Sequence, residues 1–145
     1  MTPFNLKIVT PQGTIFPKTL KDGSNQQVLN VIVRTTVGDK GILARHEPYV
    51  ASLPIGLMRV MDKNGKYRTA AISEGTIRVD EGGDTLVLVG SCEWSNKIDL
   101  SRSEEMRQLS ETALENPDIT EVEREIAEHD LKRAINRINA VNPPQ

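Results

Sequence analysis

The 145-residue chain has few aromatic residues, a single cysteine and no long apolar run. Five aromatic side chains and a formal net charge of −2 provide neither the stacking surfaces nor the positive charge that nucleic-acid binding requires. The longest charge-free apolar stretch, residues 48–58, contains two prolines and is shorter than the roughly 20 residues of a membrane-spanning helix. One cysteine cannot form an internal disulfide, and no secretory signal pattern is present. We therefore expect an unexported protein with no nucleic-acid partner and no direct insertion into a membrane.

The first 95 residues have the pattern of short strands joined by turns. Asn64-Gly65 lies between two strand-like runs and predicts a hairpin with a type I′ turn, in which both central residues have positive φ. Glu81-Gly82-Gly83-Asp84 predicts a second turn, at a spacing typical of sandwiches and barrels. The polar stretch 18–27 is expected to form an exposed loop. The predicted strands are residues 4–10, 28–35, 56–61, 66–72, 76–80 and 85–89.

After Asn96 the chain contains no glycine, and its composition becomes typical of helices. A first helix is expected to start with Asp99 or Ser101 as N-cap. It ends before Asn116-Pro117, because a residue that precedes proline disfavours the α conformation. A second helix starts with Asp118 or Thr120 as N-cap and ends before the two prolines at 143 and 144.

The short connection predicts that the two helices pack as an antiparallel hairpin. Because the expected seam buries little area, the hairpin can detach without unfolding the β half. The expected seam residues are Met106, Leu109 and Ala113 on the first helix and Ala127, Leu131, Ala134, Ile135, Ile138 and Val141 on the second. The predicted fold is α+β, with an N-terminal antiparallel β-sandwich domain in residues 1–95 and a C-terminal α-helical hairpin in residues 96–145.

No pattern of catalysis or metal binding stands out. Gly65-Lys66 lacks the other residues of a phosphate-binding loop. The two histidines lie in different halves of the chain, and no HxxH or CxxC spacing occurs, so we predict no catalytic residue and no metal site. His46 is interpreted as a structural or interface residue, and Cys92 as a buried structural thiol.

Arg133 and Arg137 lie four residues apart, so they share one face of the second helix, away from the predicted seam. Together with Arg102 they can clamp a polyphosphate, because guanidinium groups match phosphate oxygens and stay charged. The alternative is a solvated helix face on which the arginines pair with acids such as Glu128 and Asp130.

Four segments together resemble one family. Residues 37–48, Val-Gly-Asp-Lys-Gly-Ile-Leu-Ala-Arg-His-Glu-Pro, are similar to the signature Gly-Glu-x-Gly-Ile-Leu-Pro-Gly-His-x-Pro of the epsilon subunit of bacterial and chloroplast F-type ATP synthases, which is equivalent to the mitochondrial delta subunit. Residues 4–13, 72–79 and 131–138 look like the opening strand, the Ser-Gly-Gly segment and the final helix of that family. The chain departs from the family where Ala44-Arg45 replaces Pro-Gly and Glu74 replaces glycine; the 18–27 stretch looks like an insertion.

The resemblance implies a non-catalytic rotor subunit on the central stalk of ATP synthase. The sandwich would dock on the gamma subunit and on the membrane c-ring, and the helices would inhibit ATP hydrolysis by contacting the alpha and beta catalytic subunits. Asp39 and His46 match the acidic and histidine positions of the loop that faces the c-ring. The expected location is peripheral, at the cytoplasmic face of a bacterial inner membrane rather than at a chloroplast thylakoid.

Some bacterial relatives bind ATP in the folded state of the helices, and the resemblance carries their motif onto this chain. Ser103 replaces an alanine of the motif, and Leu109 stands where those relatives carry a further arginine, which would weaken binding. No cofactor is required, and ATP is an optional regulatory ligand. An alternative interpretation is a freestanding module that senses ATP. The matching residues are Glu93, Ile98, Asp99, Arg102, Arg133 and Arg137.

Overall fold

The computed structural model describes residues 2–17 and 27–143, and their contacts divide into two compact units, Met1–Glu93 and Trp94–Gln145. We call these the sandwich unit and the hairpin unit. The described strands are β1 (Phe4–Thr10), β2 (Gly13–Phe16), β3 (Gln27–Val28), β4 (Asn30–Thr35), β5 (Gly38–Ile42), β6 (Tyr49–Leu53), β7 (Gly56–Met61), β8 (Tyr67–Ile72), β9 (Gly75–Val79), β10 (Thr85–Val89) and β11 (Cys92–Trp94).

The strands form two sheets. The first sheet has the order β2-β1-β10-β9-β6, with β3 also paired to β1, and the second has the order β11-β8-β7-β4-β5. This arrangement confirms the predicted β-sandwich followed by two helices. One pair departs from the antiparallel pattern, because β1 and β10 run parallel with Leu6 opposite Thr85. The intervening strands provide the long connection that parallel neighbours require.

The core lies between the sheets and is built by strand alternation. In β1 every second residue is buried while the residues between them are mostly exposed, as expected when one face of a strand packs against a second sheet. The largest fully buried side chains are Leu6, Ile8, Ile42, Met58, Ile77, Val28, Val31, Val33 and Val87. The core is therefore mainly aliphatic, and Phe4 is the buried aromatic residue among those described.

The turn between β7 and β8 confirms the predicted hairpin but not the predicted turn type. The Gly65 amide donates to the Asp62 carbonyl at 3.0 Å, and Gly65 has φ 82° while Asn64 does not have positive φ. The Asp62 carboxylate accepts from the Asn64 and Lys66 amides. The turn is thus of type I with glycine following in the left-handed region. The turn between β9 and β10 repeats this pattern with Asp80 and Gly83.

The segment predicted as one strand over 28–35 is interrupted in the structure. Leu29 leaves the strand, and its amide donates to the Met61 carbonyl at 2.9 Å. Gln27, predicted as the end of the loop, instead pairs with Asn5 in β3. The rest of the predicted loop, residues 18–26, lies outside the described residues.

Two helices form the hairpin unit, after a short 3-10 turn at Ser95–Lys97. Helix α1 spans Leu100–Glu115, and the Asp99 side chain caps it by accepting from the Arg102 amide at 3.1 Å. Helix α2 spans Glu121–Val141, and the Thr120 hydroxyl accepts from the Glu123 amide at 3.2 Å. Both predicted helices are confirmed. Of the alternative N-caps, Asp99 caps α1 and Thr120 caps α2. In the described residues no helix is long and apolar enough to cross a membrane.

The seam between the helices agrees with the predicted one only in part. On α1 the buried residues are Ser103 and Ser110, whereas the predicted Leu109 is 65% exposed and Ala113 is exposed. On α2 the buried residues are Ala127 and Ala134, as predicted, and Ala140, whereas the predicted Ile135 is 40% exposed. Small side chains let two helices approach closely, so serine and alanine occupy the seam and the larger aliphatic residues flank it.

Candidate functional site

The first candidate surface is the hairpin of β4 and β5. The Nε of Arg34 forms an ion pair with the Oδ1 of Asp39 at 2.8 Å, on the outer face of the second sheet, and both side chains are more than 60% exposed. At the tip of this hairpin Val37 is 90% exposed. An apolar side chain in this position contributes nothing to the core of the sandwich unit, so it is available for contact with another molecule.

The loop after β5 holds His46 on the other side of that strand. The His46 amide donates to the Leu43 carbonyl at 3.2 Å, and Arg45 between them has φ 63°, which makes this a type II turn. The Nδ1 of His46 lies 2.7 Å from the Glu47 carbonyl oxygen. Because a carbonyl can only accept, this contact requires the proton on Nδ1 and leaves Nε2 for other partners.

An aromatic contact joins this loop to the edges of both sheets. The Tyr49 ring on β6 meets the His46 ring edge-on with a centroid distance of 5.6 Å. The Lys40 Nζ on β5 lies 5.1 Å from the centre of the same ring. Asp39 and Lys40 are consecutive and point to opposite faces of β5, so Asp39 and His46 flank the strand and do not contact each other.

A second candidate surface, not found from the sequence, is the outer face of the first sheet. Leu88 on β10 is 46% exposed and lies opposite Val9 on β1, while Val50 on β6 is 70% exposed and lies opposite Arg78. We call Val9, Leu88 and Val50 the outer sheet face. The sequence did not predict this face, because the residues of Thr85–Val89 do not alternate between polar and apolar and so do not show which of them face the core.

The third candidate surface is one side of the helical hairpin. Arg102 and Arg133 each precede a seam residue, Ser103 and Ala134 respectively. When two antiparallel helices face each other, the residue just before a seam residue on one helix lies on the same side as the residue just before a seam residue on the other. Arg102 lies 13 residues before the end of α1 and Arg133 lies 12 residues after the start of α2, so they are also level along the helix axes. The fold thus places these two guanidinium groups on one side of the hairpin.

The remaining residues of the predicted nucleotide motif divide between the units. Arg137 lies one turn beyond Arg133 and is half-buried, Ile98 is half-buried, and Asp99 is exposed at the N-cap of α1. Glu93 belongs to the sandwich unit, where it is half-buried in β11. Of the alternative ion pairs, Arg133 makes none with Glu128 or Asp130 in the described part of the chain.

The Cys92 thiol, next to Glu93, is buried and unreactive. Cys92 is buried, as predicted, and this burial raises the pKa of its thiol to about 11, with a further rise from the Glu93 carboxylate and an opposing effect of Arg68. A thiol in this state is a poor nucleophile near neutral pH. Within residues 2–17 and 27–143 no three histidine, cysteine or acidic side chains come together as a metal site.

Comparison with known proteins covers both units. Residues 3–95 match the family "ATP synthase, Delta/Epsilon chain, beta-sandwich domain", and residues 96–142 match "ATP synthase, Delta/Epsilon chain, long alpha-helix domain". The chain is 37% identical to the ATP synthase epsilon chain of Ruminococcus albus over 98% of both chains. It is 36% identical to the ATP synthase epsilon chain of Bacillus pumilus, over 96% of this chain and 97% of that one.

Solved structures show the same fold. A chain in the mitochondrial ATP synthase of Euglena gracilis, from a structure of OSCP, F1 and c-ring, superposes with a TM-score of 0.78 at 22% identity, over 94% of this chain and 79% of that chain. A chain from the central stalk and c-ring of the Tetrahymena thermophila mitochondrial enzyme superposes with a TM-score of 0.58 at 12% identity, over 97% of each. With both domain models matched in order and relatives aligned almost end to end, the chain belongs to the ATP synthase delta/epsilon chain family.

Proposed function

We propose that the chain is a non-catalytic rotor subunit in the central stalk of F-type ATP synthase, which couples rotation of the proton-driven c-ring to ATP synthesis. The observation that carries this proposal is the match of both units, in order, to ATP synthase epsilon chains. In this role the protein is a peripheral subunit at the cytoplasmic face of a bacterial inner membrane, attached through the other subunits.

The outer sheet face is the surface we assign to the gamma subunit. Leu88 and Val50 expose aliphatic side chains on a rigid sheet, and burial of such side chains in a complex is favourable by about 25 cal/mol per Å². Rotation imposes a torque on the contact, which a sheet surface transmits better than a mobile loop.

The β4–β5 hairpin and the loop that follows it are the surface we assign to the c-ring. Asp39 and His46 flank β5 there, and the exposed Val37 and Leu43 add an apolar component to the contact. The ion pair with Arg34 fixes the orientation of the Asp39 carboxylate. The positively charged Arg45 stands where the family signature has glycine, so it adds a positive charge that the signature lacks.

Binding to the gamma subunit of the same organism tests the central part of the proposal. We expect the full chain to bind gamma, and Leu88→Glu to weaken binding at least about tenfold, because a charge would be buried in the contact. Gln12→Glu adds the same charge at another exposed position and should leave binding unchanged. No binding by the unaltered chain would contradict the rotor function, whereas equal binding by Leu88→Glu would contradict only the assigned face.

The helical hairpin is proposed to inhibit ATP hydrolysis through contacts with the alpha and beta subunits. Its seam consists of serine and alanine, so separating the helices exposes little large apolar surface. An arm that is held by a weak seam can exchange between two arrangements, which is what a reversible inhibitor requires.

A second candidate function, ATP binding by the hairpin, is favoured by one observation. Arg102 and Arg133 lie level on one side of the hairpin, as a clamp for a polyphosphate requires. Calorimetric titration of the full chain with ATP tests it, and Arg133→Gln should weaken binding at least about tenfold. Absence of heat at millimolar ATP would contradict the site, and tight ATP binding without gamma binding would favour the freestanding sensor instead.

A further inference from the structure

The stripe of α1 that faces α2 contains an arginine between its two buried serines. Arg107 lies four residues after Ser103 and three residues before Ser110. Residues three and four positions apart share one face of a helix, so Arg107 lies on the seam of the hairpin unit. Its side chain is half-buried, because the long stem follows the seam while the end of the guanidinium group reaches toward water.

The guanidinium group of Arg107 is paired at its end but not at its Nε. The Nη2 atom forms an ion pair with the Oε2 of Glu104 at 2.7 Å, one turn away on the same helix. The Nε atom is buried, and among the described residues no acceptor lies within hydrogen-bond distance of it. This N–H group has therefore lost its contact with water and has gained no hydrogen bond in exchange, which is unfavourable.

The facing helix has a carboxylate at the same level, but Arg107 does not pair with it. Arg107 lies eight residues before the end of α1 and Asp130 lies nine residues after the start of α2, so the two are level along the helix axes. In the part of the chain that the structure describes, Arg107 pairs with Glu104 on its own helix and with no residue of α2. The ion pair of Arg107 is therefore kept when the two helices separate.

Separation of the helices is favourable for Arg107 and costs the rest of the seam little. Once α1 and α2 part, water can hydrate the Nε–H group of Arg107. The other buried seam residues are serines on α1 and alanines on α2, which bury little apolar area and so hold the helices together weakly. A buried donor without an acceptor in such a seam shifts the equilibrium toward separated helices.

We propose that Arg107 is a release element of the hairpin, a residue whose buried Nε–H raises the fraction of molecules in which α1 and α2 are separated. An element that destabilises only the closed arrangement brings the two arrangements closer in free energy, so that a weakly bound partner suffices to select one of them. The proposal concerns the seam itself and holds whether or not the chain inhibits ATP hydrolysis. Its failure is therefore distinguishable from the failure of the proposed function.

The replacement Arg107→Lys tests the role of the Nε atom with little other change. Lysine keeps the positive charge and the reach to Glu104, but it has a methylene group where arginine has Nε–H. Hydrogen exchange of the α1 and α2 amides in the full chain, followed by NMR, reports opening of the seam, because separated helices of this length are marginally stable in water. We expect exchange to slow at least about fivefold in Arg107→Lys and in Arg107→Met, with the amides of the sandwich unit unchanged.

Further variants separate the buried donor from the charge of Arg107. Arg124→Lys makes the same replacement at an exposed position of α2 and should leave exchange unchanged. Glu104→Gln removes the ion pair but leaves Nε buried, so it should not slow exchange. Unchanged or faster exchange in Arg107→Lys would overturn the proposal. Faster exchange in both Arg107→Met and Asp130→Asn would also overturn it, because Arg107 would then hold the helices together through Asp130.

Discussion

At the scale of single residues, Arg45 occupies a backbone conformation that its side chain disfavours. It is the one residue other than glycine with positive φ among those described, at 63°. The third residue of a type II turn requires this conformation, which costs a residue with a Cβ about 1–2 kcal/mol. The family signature has Pro-Gly at the two central positions of this turn, which is the pair that a type II turn favours.

We therefore predict that Arg45→Gly stabilises the sandwich unit by about 1 kcal/mol, because glycine adopts positive φ without steric cost. Thermal and denaturant unfolding of the full chain measure the change. Ala44→Gly serves as the control, since position 44 does not have positive φ and glycine there only adds disorder to the unfolded chain. A loss of stability in Arg45→Gly would show that the arginine side chain contributes more than its backbone costs.

The Cys92 thiol makes stability depend on alkaline pH. Its pKa is raised from 9.0 to about 11 in the folded protein, so the folded state disfavours the thiolate. The stability that results is present in full below pH 9 and is lost as the pH rises from 9 to 11. Two pKa units correspond to about 2–3 kcal/mol.

The measurement is the difference in unfolding free energy between the unaltered chain and Cys92→Ala, taken at several pH values. All other groups are the same in both proteins, so their contributions cancel in this difference. We expect the unfolding free energy of the unaltered chain to fall relative to that of Cys92→Ala as the pH rises from 9 to 11. A difference that does not change with pH would mean that the thiol is solvated in solution.

Individual residues show where prediction from sequence stops. The burial of Cys92 follows from its apolar neighbours in the sequence. The need for glycine at position 75 could not be predicted in this way, because it arises from contact with another strand. A Cβ at this position would collide with the backbone of Leu88 and Val89 in β10. Contacts between distant strands leave no local pattern in the sequence.

At the scale of elements, the N-cap of α1 allows helix stability to be tested separately from the proposed nucleotide binding. Asp99 caps α1 through its carboxylate and is also a member of the predicted nucleotide motif. Asp99→Ala should destabilise the hairpin by about 1 kcal/mol, while Asp99→Asn should preserve the cap, because asparagine is an equally good N-cap. Both variants remove the negative charge, so both should change ATP affinity to the same extent if the carboxylate takes part in binding.

Thr120→Ala is the matched control for this pair of variants. It removes the N-cap of α2 at the far end of the hairpin, and we expect a similar loss of about 1 kcal/mol with no change in ATP affinity. Helix content by circular dichroism and calorimetric titration with ATP measure the two effects separately. If Asp99→Ala alone weakened ATP binding, the residue would act through the helix and not through its charge.

Elements with a strong local signal were predictable, whereas β2, β5, β6 and β11 have no counterpart among the predicted strands. Alternation predicted β1, helix composition with N-caps and proline predicted both helices, and Asn64-Gly65 predicted the hairpin of β7 and β8. The helix seam was predicted only in part: Ala127 and Ala134 are buried as predicted, but we also expected larger aliphatic residues to face inward. Close packing through Ser110 and Ala134 leaves Leu109 and Ile135 exposed, an outcome that depends on both helices at once.

At the scale of the whole molecule, two units with separate cores divide the proposed work between them. Among the described residues the largest fully buried side chains all lie in the sandwich unit, so we expect it to fold without the hairpin unit. The hairpin unit relies on caps and a seam of small residues, which suits a part that changes its arrangement. The family model boundary at residues 95 and 96 falls within two residues of the boundary between the units.

The most direct test of the proposed function is ATP hydrolysis by a catalytic complex from the same organism that lacks this subunit, supplied with the full chain or with a chain that ends at Ser95. We predict that both bind gamma, that only the full chain lowers the hydrolysis rate, and that the shortened chain competes with it and restores activity. Failure of the full chain to bind would contradict the rotor function. Equal inhibition by the shortened chain would contradict the role of the hairpin as the inhibitory arm.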